Sequence, residues 1–142
     1  MSKLRFAVVA VALGATTFAG AAPANAESVH TSCSPPSDHS LTLNGTAFFV
    51  SVNGGVNHSW FQYNYTLGGN MGSHSNVNIR LYENDQLRFQ DLSPDNRDTG
   101  SYIVKPFDPT VLPASSSERV FFEAIFDRFG YDPRCLASTA PV

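Results

Sequence analysis

Apolar residues in this chain recur at every second position, in short runs broken by glycine, proline and asparagine. Successive side chains of a strand point to opposite faces, so this alternation predicts half-buried strands rather than helices. Leu41 and Leu43 alternate around Thr42, Asn44-Gly45 predicts a tight turn, and TAFFVSV (46–52) predicts a second strand completing a hairpin. In HSWFQYNYT (58–66), Phe61, Tyr63 and Tyr65 fall on one face and Trp60, Gln62 and Asn64 on the other. The segment 67–75, with three glycines, predicts a loop, and NVNIRLY (76–82) a strand with Val77, Ile79 and Leu81 inward. After an Asn84-Asp85 turn, residues 87–104 read as two strands joined by a corner. Leu87 and Phe89 share one face, Leu92 closes the first strand, and a run with Pro94, Asp95, Asn96 and Gly100 leads into 101–104.

The remaining segments are less regular. Residues 27–38 contain Pro35-Pro36 and predict an extended lead-in, and 106–117, with three prolines and three consecutive serines, predicts a loop. RVFFEAIFDRF (119–129) is ambiguous. Ser117, Glu118 and Gly130 resemble helix caps, whereas the aromatic and β-branched content favours a strand with Phe122, Ala124 and Phe126 or their alternates inward. Seven or eight short strands without a clear helix predict an all-β antiparallel sandwich or barrel.

Residues 1–26 read as a cleaved export signal: Lys3 and Arg5, an apolar stretch from 7 to 18, and Ala24-Asn25-Ala26 at the cleavage site. Cleavage leaves 116 of the 142 residues, enough for one domain, and the protein is expected to be secreted. No later apolar run reaches the roughly 18 residues of a membrane span. The signal carries two of nine basic residues and none of twelve acidic ones, so the net charge falls from −3 to −5. That balance argues against nucleic acid and anionic membranes as partners. The two cysteines, Cys33 and Cys135, lie near the two ends of the exported chain, and an oxidising compartment predicts a disulfide between them. The terminal segments must then meet, and a cysteine nucleophile or metal site is disfavoured.

Leu87-x-Phe89-x-x-Leu92 followed by Asp98-x-Gly100-x-Tyr102 resembles the corner between the fifth and sixth strands of immunoglobulin-like domains. The resemblance spans about residues 41–126. It implies an immunoglobulin-like β-sandwich in which the Tyr102 hydroxyl bonds back to nearby backbone, Gly100 permits the turn, Asp98 sits at the bend, and Trp60 is the core tryptophan. Two features depart from the family. Val104 stands where its second core cysteine falls, and the run from Leu92 to Asp98 is about two residues longer. The fold hosts many unrelated functions, so the resemblance names no activity.

If Trp60 points inward, Phe61, Tyr63 and Tyr65 form an outward aromatic stripe suited to a protein or glycan partner. The competing reading turns the three rings inward and half covers Trp60 with a loop, or lays the 130–142 tail over the stripe. A second hypothesis gathers His58, Met71 and His74 as a soft, copper-type site, although the four histidines have no ligand spacing. Asp91, Asp95, Asn96 and Asp98 offer oxygens for Ca²⁺ but lack the EF-hand pattern. No Gly-x-Ser-x-Gly elbow is present, and Ser73-His74 lies in a glycine-rich loop, so a hydrolase, or an inhibitor of one, ranks third. Three acceptor patterns for N-glycosylation, at Asn44, Asn57 and Asn64, read as turn and strand residues in a chain whose signal looks bacterial. The sequence therefore favours a secreted, non-enzymatic binding module with no cofactor.

Overall fold

The computed structural model describes residues 25–142; the segment expected to be an export signal, residues 1–26, lies outside them except for its last two positions. The described residues form nine strands: β1 (Glu27–Cys33), β2 (Thr42–Val52), β3 (Asn57–Gly68), β4 (Asn76–Glu83), β5 (Gln86–Leu92), β6 (Gly100–Val104), β7 (Thr110–Pro113), β8 (Glu118–Ile125) and β9 (Arg134–Ser138). All pairings between them are antiparallel. The first sheet runs β1-β2-β3-β6, with β7 also on β3, and the second runs β5-β4-β8-β9. One apolar core fills the space between them, built from Leu41, Leu43, Phe49, Trp60, Tyr63 and Tyr65 on one side and Val77, Ile79, Leu81, Val120 and Phe122 on the other.

Where strand period is unbroken, the inward sets are the expected ones. Val77, Ile79 and Leu81 on β4 are buried, as are Phe122, Ala124 and Phe126 on and just past β8, which is a strand and not a capped helix. Asn84 and Asp85 both take positive φ, as a two-residue hairpin turn of type I′ requires. Cys33 and Cys135 are bonded, with Cα atoms 5.9 Å apart, tying the edge strand of one sheet to the edge strand of the other.

Several segments differ from expectation. Asn44-Gly45 makes no turn, and one continuous strand runs from Thr42 to Val52. Gly45 is needed there for another reason: a Cβ would lie 2.6 Å from the Phe122 ring of the facing sheet. Residues 27–33 form β1, 110–113 form β7, and 134–138 form β9, because open strand edges of the central ladder are there to receive them. Leu87 and Phe89 do not share a face. Leu81 pairs with Phe89 and Tyr82 with Leu87, so Arg88 is an extra residue that turns Leu87 outward while Phe89 packs on the core. Consecutive strands β2 and β3 pair within one sheet, whereas the immunoglobulin arrangement puts its second and third strands in opposite sheets.

Candidate functional site

The aromatic strand β3 is interrupted at Phe61. Phe48 pairs with Gln62 and Phe49 with Trp60, so Phe61 has no opposite residue and the bulge reverses the alternation. Trp60 and both tyrosines therefore face the core together. Trp60 and Tyr63 are wholly buried and Tyr65 is 2% exposed, while Phe61 alone turns to the outer face, half-buried beside Phe48. The outward stripe expected of Phe61, Tyr63 and Tyr65 does not exist. Tyr63 instead stacks on Phe89 across the sandwich at 4.9 Å, and Tyr65 on Tyr102 at 5.1 Å.

The Tyr63 hydroxyl reaches no hydrogen-bond partner. Burial, reinforced by the negative charge of Glu118, pushes its pKa well above the ordinary value near 10. Below pH 10 the phenol is protonated in both folded and unfolded chains. Above pH 10 only the unfolded chain releases the proton, so stability falls as pH rises. Tyr63→Phe removes an unpaired buried hydroxyl and is expected to leave stability at pH 7 unchanged or raise it by up to about 1 kcal/mol. It should also flatten the alkaline decline. Thermal midpoints of the two proteins between neutral pH and pH 11 check both effects.

Glu118 lies between the sheets with its side chain fully buried. Its carboxylate accepts hydrogen bonds from His58 Nδ1, at 3.1 Å, and from the indole nitrogen of Trp60. His58 also packs on Phe49, at 4.6 Å between centroids. The chain end closes over the same spot, since Glu118 and Val142 exchange backbone hydrogen bonds. Both carboxylate oxygens thus have a donor, which is how a buried carboxylate is tolerated. In the sequence alone, Glu118 stands out only as the neighbour of a possible helix cap at Ser117.

His58, Met71 and His74 do not come together. His58 is the second residue of β3, and Met71 and His74 follow its far end, about 30 Å away for a twelve-residue strand. His74 pairs with Asp127 at 3.6 Å. Among the described residues no group of three or more His, Cys, Asp or Glu side chains is placed to hold a metal ion. In the corner between β5 and β6, Asp98 is engaged by Tyr102, whose hydroxyl accepts from the Asp98 N–H at 3.0 Å and lies 2.9 Å from its carboxylate. The Arg97 guanidinium sits over the Tyr102 ring at 4.7 Å. Asn44 and Asn64 lie within strands, and Asn57 opens β3.

The outer face of the second sheet carries the aromatic surface. Alternation that turns Val77, Ile79 and Leu81 inward turns Arg80 and Tyr82 outward, and alternation that buries Phe122 turns Phe121 outward, where it is half-buried. Pairing of Arg80 with Phe121 and Tyr82 with Arg119 brings the two sets side by side. The Tyr82 and Phe121 rings meet edge to face at 5.3 Å. Two adjoining clefts share Tyr82, Asp85 and Phe121. One, of about 270 Å³, is completed by Arg80 and Leu136, and the other, of about 240 Å³, by Asn84, Ser117 and Arg119. Arg80 is held by Glu123 at 3.1 Å, and Leu136 is more than half exposed. No protein-family model, curated protein or solved structure matches this chain. Chemistry of the surface is therefore the guide to function. Among the described residues no helix is long and apolar enough to cross a membrane.

Proposed function

We propose that the protein is an exported, non-enzymatic binding module that engages an extracellular glycan or protein through the outer face of its second sheet. The observation that carries this reading is the pair of clefts that share the Tyr82 and Phe121 rings. Two rings set at 77° make an angled notch rather than a flat platform. Around it stand a carboxylate (Asp85), an amide (Asn84), a hydroxyl (Ser117) and the exposed guanidinium of Arg119. An apolar wall beside a few directed polar groups is the usual make-up of a small ligand site. The volumes suit one sugar ring or one projecting side chain. The fold that presents the notch we read as an immunoglobulin-like sandwich of altered connection. The hydrogen bonds of Tyr102 to Asp98 support the likeness of the corner, and the in-sheet pairing of β2 with β3 limits it to that corner and its surroundings. Export rests on the charged, apolar and small-residue pattern of residues 1–26.

A glycan array and a panel of extracellular proteins, probed with the wild type beside Tyr82→Ser and Phe121→Ser, test the reading. A ligand held by the wild type should bind each variant at least about tenfold more weakly. Both variants lose only a cross-strand surface pair, so their stability should fall by no more than about 1 kcal/mol. A ligand held equally by all three proteins places the binding surface elsewhere.

A further inference from the structure

Strands β6 and β7 lie end to end along the same edge of β3. Val104 pairs with Tyr63 and Thr110 with Trp60. Five residues, Lys105-Pro106-Phe107-Asp108-Pro109, are therefore inserted opposite only two, Phe61 and Gln62, and the chain must bow away from the sheet edge between two anchored ends. Pro106 and Pro109 each fix φ near −65° and push the residue before them, Lys105 and Asp108, toward extended backbone. Four of the five positions are thus restricted by covalent structure, and the chain bends at Phe107 and Asp108.

Phe107 at that bend is fully exposed, and Ile103 and Val111, one on each anchoring strand, are each 53% exposed. A large apolar ring held in water forgoes roughly 1.5 to 3 kcal/mol of burial. A floppy loop could fold such a ring back; this one is pinned on both sides and stiffened by two prolines. The shape is convex, with one ring at its apex, so what fits it is a concave apolar pocket in a partner. The specificity slot of a chymotrypsin-like serine protease is a hydrophobic pocket of that kind, entered by a single side chain. A loop already fixed in its projecting form loses little conformational freedom on docking, which is how protease inhibitors of ordinary interface size bind tightly.

We infer that residues 105–109 form an inhibitory loop that presents Phe107 to the apolar specificity slot of a chymotrypsin-like serine protease. This surface lies at the edge of the first sheet, distinct from the Tyr82 and Phe121 notch on the second, and neither depends on the other.

Titration of chymotrypsin and trypsin with the disulfide-bonded protein, followed by hydrolysis of a chromogenic peptide, tests the inference. The wild type should inhibit chymotrypsin and spare trypsin. Phe107→Ala should weaken inhibition at least about thirtyfold, the loss expected of an interface anchor. Phe107→Arg should transfer inhibition to trypsin, whose slot carries an aspartate. Phe129, also fully exposed, lies between β8 and β9, and Phe129→Ala should inhibit as the wild type does. Circular dichroism establishes that each variant is folded. The inference is overturned if the wild type in molar excess leaves chymotrypsin fully active, if Phe129→Ala weakens inhibition as much as Phe107→Ala, or if chymotrypsin cleaves after Phe107 at the rate of an ordinary substrate.

Discussion

Removal of the disulfide in the double variant Cys33→Ala, Cys135→Ala is expected to lower stability by about 4 to 5 kcal/mol. The bond joins residues 102 apart in sequence, and the entropy that such a cross-link removes from the unfolded chain rises with the length of the loop it closes. Folded domains of this size are stable by only about 5 to 15 kcal/mol, so the loss leaves a marginal protein. The two cysteines also sit on edge strands, β1 and β9, that join their sheets along only one side. Without the bond those strands should separate before the central ones. Urea unfolding of the double variant beside the wild type measures the effect. A loss below about 1 kcal/mol would mean that the unfolded chain already keeps its ends together, against the entropic account.

The second large effect is expected at Glu118. Its carboxylate is enclosed between the sheets and serves two donors, His58 and the Trp60 indole. Glu118→Ala leaves both donors unpaired in the interior and a void beside them, and should cost about 3 to 5 kcal/mol. Glu118→Gln keeps the volume and one acceptor oxygen, and its loss should be about 1 to 2 kcal/mol. The interaction is separable from simple packing by a mutant cycle. If His58 and Glu118 stabilise the fold through each other, His58→Ala should destabilise the wild type more than it destabilises Glu118→Ala. Chemical denaturation of the four proteins reads the coupling, and additive losses would show that the pair is held in place without stabilising the fold. Tryptophan emission should report the same change, since Trp60 is the only tryptophan.

What the sequence reveals of this fold depends on where the strand period stays unbroken. On β4 and β8 it does, and the inward set Val77, Ile79, Leu81, Phe122 and Ala124 follows from alternation alone. On β3 and β5 a single extra residue, Phe61 or Arg88, reverses the faces of everything beyond it, and nothing in local composition marks either bulge. The burial of Tyr63 and the exposure of Leu87 are both consequences of that reversal. Asn44-Gly45 carries the composition of a turn while its glycine serves a close approach between sheets, against Phe122, that only the tertiary fold creates. The proposed notch was half legible. Outward positions for Arg80 and Tyr82 follow from the inward set, but their meeting with Phe121 requires the pairing of strands some forty residues apart. Glu118 was hidden for a related reason: a charged residue at the start of a strand is usually in water, and its burial depends on His58 and Trp60 arriving from a different sheet.

The corner between β5 and β6 gives the disulfide a counterpart. Strand β5 edges the second sheet and β6 the first, so the chain itself passes from one layer to the other on the side opposite Cys33 and Cys135, where Tyr102 fastens it to Asp98. The sandwich is thus laced along both margins, by a sulfur bridge on one and by the main chain on the other. With the sulfur lace severed, the main-chain crossing between β5 and β6 still ties its own margin, so the margin that carries β1 and β9 is the one expected to loosen first.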